Sequence, residues 1–161
     1  LLVHATFIIH GNMMHEVRSM YCFSTVKEFS ELREAVREEL TEMRVAGVDP
    51  FFVAINEAVN NAIFHGNKQD ETKKVQLTIT NWPGEVRVII RDEGQGFAPA
   101  EAKQKEGLQE SGRGIEIIRH CVDQYYFSSE PSEIVLIKKV ASSPMVSESK
   151  IIEKGCLTNA N

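Results

Sequence analysis

Residues 51–64 form an amphipathic run in which Phe52, Ile55, Ala58, Val59, Ala62 and Ile63 share one side. That spacing follows the 3.6-residue period of a helix. A helix with such a stripe must lay it against another layer, so the rest of the chain has to supply one. The same helix carries Glu57 and Asn61, four residues apart and therefore stacked on one face. A carboxylate one turn from an amide oxygen is suited to holding a hard, oxygen-preferring cation beside a polyphosphate. Asn60 is rotated by about 100° from Asn61 and is the poorer candidate ligand.

The layer that receives the helix is legible in alternating segments. Residues 15–23 are rich in strand formers, residues 75–80 alternate cleanly, and residues 85–91 alternate around Val86, Val88 and Ile90. Trp82-Pro83-Gly84 reads as the turn between the last two. Residues 124–128 and 133–140 read as two final strands, after a short helix over 115–122. A first helix covers 26–43 through Val26, Phe29, Leu32, Val36 and Leu40, with Thr25 and Glu28 spaced as a capping box. Asp49 is the expected cap of the second helix, with Pro50 at its first position. His65-Gly66-Asn67 is its expected glycine stop. The order predicts an α+β fold: a two-layer α/β sandwich whose mixed, mostly antiparallel sheet carries helices on one face. Residues 15–140 are the expected domain, 1–14 an extension with Met13 or Met14 as a natural start, and 141–161 a flexible polar tail.

Composition narrows the function. The 161 residues suit one domain, and the 42% hydrophobic share supplies a core. A formal net charge of −5, with basic residues scattered, argues against binding nucleic acid by phosphate neutralisation. Cys22, Cys121 and Cys156 are far apart and odd in number, which indicates neither a zinc site nor a disulfide framework. Reduced thiols fit a cytoplasmic protein. The apolar start of the chain is too short to span a bilayer and lacks the basic leader of a signal peptide.

Two glycine-rich stretches complete the pattern. Asp92-Glu93-Gly94-Gln95-Gly96 punctuates the end of the 85–91 strand, and Gly112-Arg113-Gly114 precedes a helix. Glycines let the backbone turn tightly and approach a ligand. N–H groups at a helix start are ready donors to phosphate oxygens. Together with Glu57 and Asn61 these pieces suggest a nucleotide site. Arg113 can reach a phosphate or face water, and the pattern leaves both open. His65, beside the helix stop, is a pocket-lining or structural candidate. Arg33 and Arg37 lie on the polar side of the first helix, where Glu34 and Glu38 are ready ion-pair partners.

Glu57-x-x-x-Asn61-Ala62 with His65-Gly66, then Asp92-x-Gly94-x-Gly96, then Gly112-x-Gly114, resembles the three nucleotide-binding boxes of the GHKL ATPase superfamily, the Bergerat fold. Within it the wording is similar to the anti-sigma factor serine kinases of partner-switching modules, over roughly residues 16–139. That resemblance implies ATP and Mg²⁺ as cofactors. It implies Glu57 as catalytic base, Asn61 as metal ligand and Asp92 as acceptor for the exocyclic amine of adenine, a position where guanine carries a carbonyl. It also implies phosphorylation of a serine on an anti-anti-sigma (STAS-domain) partner, capture of a sigma factor, a homodimer, and the Arg33–Arg37 region as part of the dimer and sigma-factor surfaces. Relatives often carry a basic residue just before Gly112; here Glu110 and Ser111 stand there, leaving Lys103, Lys105 or Arg113 to meet the γ-phosphate. That departure motivates the alternative of an ATP-binding module that regulates partners without transfer. Residues 97–111 would form a lid over the phosphates.

Overall fold

The computed structural model describes residues 6–10, 13–94, 113–129 and 132–141. Strands β1 (Thr6–His10) and β2 (Met13–Phe23) open the chain, followed by helices α1 (Val26–Glu42) and α2 (Val48–Asn61). The hairpin β3 (Val75–Trp82) and β4 (Glu85–Asp92) comes next, then α3 (Arg113–Cys121) and the hairpin β5 (Gln124–Ser129) and β6 (Ser132–Lys139). The six strands form one sheet in the order β1-β2-β3-β4-β6-β5, and every neighbouring pair is antiparallel. The helices pack on one face, giving the two-layer α+β architecture expected from the alternation of elements.

Side-chain alternation explains the layering. Val75, Leu77 and Ile79 of β3 and Val86, Val88 and Ile90 of β4 are all at most 1% exposed and face the helices. They meet Phe51, Ile55, Ala58 and Val59 from α2 in one contiguous core. Burying each of the larger aliphatic side chains contributes about 1.5–3 kcal/mol. The α1–α2 connection is fastened to the far end of β6: Val45 bridges Val140, and Ala46 N–H donates to Lys139 O at 2.9 Å.

The helix ends follow local chemistry, with two departures from expectation. Thr25 caps α1 by accepting from Glu28 N–H at 3.1 Å, and the Glu28 carboxylate reaches back to Ser24 N–H at 2.6 Å. For α2 the N-cap is Gly47, at φ 72°, rather than Asp49. The left-handed glycine turns the chain into the helix early, which leaves Asp49 inside the first turn. Its carboxylate pairs with Arg37 across the helix pair, so Arg37 is bound to Asp49 rather than to Glu38. At the other end α2 does not stop at a left-handed glycine. It widens into a π-helical turn, Ala62–Gly66, closed by Asn67 N–H donating to Ala62 O at 2.8 Å. Such turns often accompany functional sites. The strand expected over 15–23 is β2, which begins at Met13, and β1 lies wholly within the first fourteen residues, paired with β2. No described helix is long and apolar enough to cross a membrane.

Candidate functional site

The last two turns of α2, the π-helical turn, the end of β4 and the start of α3 converge. Glu57 and Asn61 project from α2, both partly exposed. His65 and Gly66 sit in the π-helical turn, Asp92 ends β4, and Gly94 follows it. Arg113 and Gly114 open α3. Gly96, Lys105 and Gly112 lie outside the described residues, as do Lys103 and the expected lid.

Asn61 stands between two hollows. One has Gly66, Asp92, Ser128, Ser132 and Glu133 at its polar edge. Its walls are Ala58, Ala62, Ile90, Ile115, Phe127 and Ile134. Apolar walls with few polar groups are the usual lining of small-molecule sites. The other is lined by Glu57, Asn60, Asn61, Phe64, His65, Gln69 and Gly114. An apolar slot and a polar mouth thus share Asn61 as a wall. Arg113 is exposed and lines neither hollow.

Close approaches explain the glycines. A Cβ built on Gly66 would lie 2.4 Å from Asp92 Cγ, and one on Gly94 would lie 2.1 Å from Gly66 O. Gly66 is therefore required by the Asp92 carboxyl rather than by a helix stop. A Cβ on Gly114 would lie 3.1 Å from Glu57 Oε2 and 3.6 Å from Asn61 Nδ2, which puts the first turn of α3 beside the acid–amide pair.

The Asp92 carboxylate is held on both oxygens. Oδ1 accepts from Gly94 N–H at 2.8 Å, and Oδ2 accepts from Ser132 Oγ at 2.8 Å. A carboxylate has about four acceptor positions, so capacity for a ligand donor remains. Asn67, 1% exposed, supports this corner. Its Oδ1 accepts from Glu93 N–H at 2.9 Å and its Nδ2 donates to Lys74 O at 3.0 Å. The Glu93 carboxylate in turn accepts from Lys74 N–H at 2.7 Å.

Ser132 escaped sequence reasoning, and Asn67 was read only as part of the helix stop. Ser132 acts on a residue 40 positions away and Asn67 on one 26 away. A polar residue opening a strand, and an asparagine just after a glycine in a helix end, were the available signals.

The comparisons agree with this geometry. Residues 24–139 match the family described as Histidine kinase-like ATPase domain. The chain belongs to that family. Membership carries ATP binding with it, and the GHKL boxes named from sequence fall within the matched span. Similar relatives share the printed name Anti-sigma F factor. One from Shouchella clausii (strain KSM-K16) is 34% identical over 71% of this chain and 79% of the relative. One from Geobacillus kaustophilus (strain HTA426) is 31% identical over 74% of this chain and 82% of the relative. One from Bacillus subtilis (strain 168) is 33% identical over 66% and 72%.

Proposed function

We propose that this chain is an anti-sigma factor that phosphorylates a serine of a STAS-domain anti-anti-sigma partner with Mg-ATP, and that it sequesters a sigma factor while that partner is phosphorylated. The observation that carries the reading is Asn61, shared between an apolar slot ending at Asp92 and a polar mouth containing Glu57 and Gly114. The family membership and the shared name of the relatives support it.

In this reading adenine lies in the slot with its exocyclic amine donating to Asp92. The triphosphate extends past Asn61 toward the first turn of α3, where backbone N–H groups are free of intrahelical partners. Arg113, at the start of α3, is the described cation proposed to meet the phosphates, and Lys105, outside the described residues, is a further candidate. Glu57 takes the proton of the acceptor serine as its oxygen attacks the γ-phosphorus. The new O–P bond forms as the bond to the β–γ bridging oxygen breaks, and ADP leaves.

The donor set fits Mg²⁺. The Asn61 amide oxygen is a hard ligand, and a cation that keeps waters and takes phosphate oxygens needs few protein ligands. No cluster of three or more metal-ligating His, Cys, Asp or Glu residues occurs among the described residues. When bound, Mg²⁺ supplies neutralisation of charge on the phosphates. His65 borders the mouth as a lining residue. A homodimer and a cytoplasmic setting belong to the same reading.

The test is incubation with γ-labelled ATP and purified STAS-domain proteins. Label on a serine is expected, with transfer abolished in Glu57→Ala while ATP binding persists. ATP binding without any labelled product would favour a module acting by binding alone.

A further inference from the structure

The chain leaves the π-helical turn by a strained route. Lys68 and Gln69 follow one another at φ 54° and 60°, a left-handed conformation that residues other than glycine and asparagine seldom adopt. Glycine would enter it freely, but Gly66, the glycine of this segment, is committed to clearing Asp92. Hydrogen bonds fix the conformation from both sides. Asn67 N–H donates to Ala62 O and Gln69 N–H to Ile63 O, each at 2.8 Å, and Asp70 N–H donates to Asn67 O at 3.1 Å. Asp70 Oδ1 then accepts from Thr72 N–H at 3.0 Å and from Thr72 Oγ1 at 2.6 Å, which closes the next turn. Backbone strain that the surroundings enforce concentrates at ligand clamps. Here it holds the Gln69 side chain, which lines the polar mouth with His65. Among the described residues the Gln69 carboxamide has no hydrogen-bond partner.

We propose that Gln69 hydrogen-bonds the sugar hydroxyls of the nucleotide and makes the site selective for a ribonucleotide over its 2′-deoxy counterpart. The proposal rests on the nucleotide placement above, not on the transfer step. Base, sugar and triphosphate are joined in that order. With the base at Asp92 and the phosphates toward Gly114, the sugar lies where slot and mouth share Asn61. Glu57 and Gly114 stand together on one side of Asn61, at the phosphate end. The other polar side chains of the mouth are Asn60, His65 and Gln69. Asn60 is shared with the cleft against α1 rather than with the slot. His65 and Gln69 lie beyond Asn61 from Glu57, next to Gly66 and so to Asp92. A vicinal diol presents donor and acceptor side by side. A carboxamide answers with a carbonyl and an N–H at one end, whereas the two nitrogens of an imidazole look in different directions. A fixed backbone leaves less freedom for Gln69 to lose on binding, which favours the contact.

The experiment titrates the full chain calorimetrically with Mg-ATP and with Mg-2′-deoxyATP, and records melting curves without nucleotide. Wild type is expected to bind ATP about three- to tenfold more tightly than the deoxy form, the equivalent of one hydrogen bond. Gln69→Gly removes the amide and relieves a left-handed residue. It should melt above wild type and bind both nucleotides equally, at the affinity wild type shows for 2′-deoxyATP. Lys68→Gly relieves the neighbouring residue and keeps the amide, so it should melt higher and retain the discrimination. A glutamine that only shapes the turn would not separate these two variants. Equal affinity of wild type for the two nucleotides overturns the proposal. So does a Gln69→Gly variant that keeps the preference for ATP. One that loses affinity for both nucleotides by the same factor also overturns it, and moves Gln69 from the sugar to the base or the phosphates. In all three cases ATP still binds and the nucleotide placement stands. Failure of wild type to bind either nucleotide overturns both.

Discussion

Ser132 Oγ donates to Asp92 Oδ2 at 2.8 Å, joining the first residue of β6 to the last residue of β4. The bond fixes the carboxylate without consuming its capacity to accept from a ligand. Ser132→Ala is expected to weaken ATP binding by about five- to tenfold, the equivalent of one hydrogen bond. Asp92→Asn should cost more, because an amide nitrogen turned toward the adenine amine sets donor against donor. Calorimetric titration with ATP and GTP checks both. Equal affinity of Ser132→Ala and wild type would remove Ser132 from the site.

Asn67 holds together the chain leaving the π-helical turn, the entry to β3 and the exit from β4. Asn67→Ala leaves Lys74 O and Glu93 N–H without these part-buried partners. Each such hydrogen bond contributes roughly 0.5–1.5 kcal/mol, so the variant should lose on the order of 1–3 kcal/mol. Urea denaturation measures this directly. ATP affinity should fall as well, since Glu93 adjoins Asp92 in the chain.

Strands β2 to β6, the helices and the two-layer packing were legible in the sequence because they depend on periodicity; β1, inside the span read as an extension, was not. Val75, Leu77 and Ile79 alternate, and Phe29, Val36 and Leu40 recur on one helical face; such patterns survive without knowledge of the tertiary structure. The cap at Thr25 was legible for the same local reason. Asp49 misled because an Asp before a Pro resembles a cap, while Gly47 accomplishes the turn through its backbone alone. Gly66 was found, but its reason was not: it clears space for Asp92, 26 residues later in the chain. Ser132 and Asn67 could not be reached by pattern, because their partners become neighbours only when the strands pair.

Acid should weaken the fold partly through Asp123. Lys139 N–H donates to Asp123 Oδ2 at 2.8 Å and Lys138 Nζ lies 3.5 Å from Oδ1. The backbone hydrogen bond, with a smaller contribution from the lysine charges and some opposition from desolvation, holds this carboxyl below the usual carboxylate range. A lowered folded-state pKa stabilises the fold above the unfolded value, about 3.9 for Asp, and that contribution is lost as pH falls through the folded value. Wild type should therefore lose more thermal stability between about pH 5 and about pH 2 than Asp123→Asn does. Parallel melting curves across that interval check it, and identical slopes would exclude Asp123 as a contributor.

Gly66, Gly94 and Gly114 should respond differently to alanine, because each Cβ meets a different kind of obstacle. On Gly94 it meets the Gly66 carbonyl at 2.1 Å, a backbone group that cannot yield without moving the π-helical turn. On Gly66 it meets the Asp92 carboxyl at 2.4 Å, which can rotate only by breaking its bonds to Gly94 and Ser132. Both variants should be destabilised, Gly94→Ala the more, and both should lose ATP affinity. On Gly114 the nearest atom is Glu57 Oε2 at 3.1 Å, the far end of a flexible side chain. Alanine also favours a helix over glycine by up to about 1 kcal/mol. Gly114→Ala should thus melt at or above the wild-type temperature while phosphoryl transfer falls, because Glu57 is pushed from its position beside α3. A variant that is stable, binds ATP and transfers at the wild-type rate would show that the placement of Glu57 against α3 is immaterial to the chemistry.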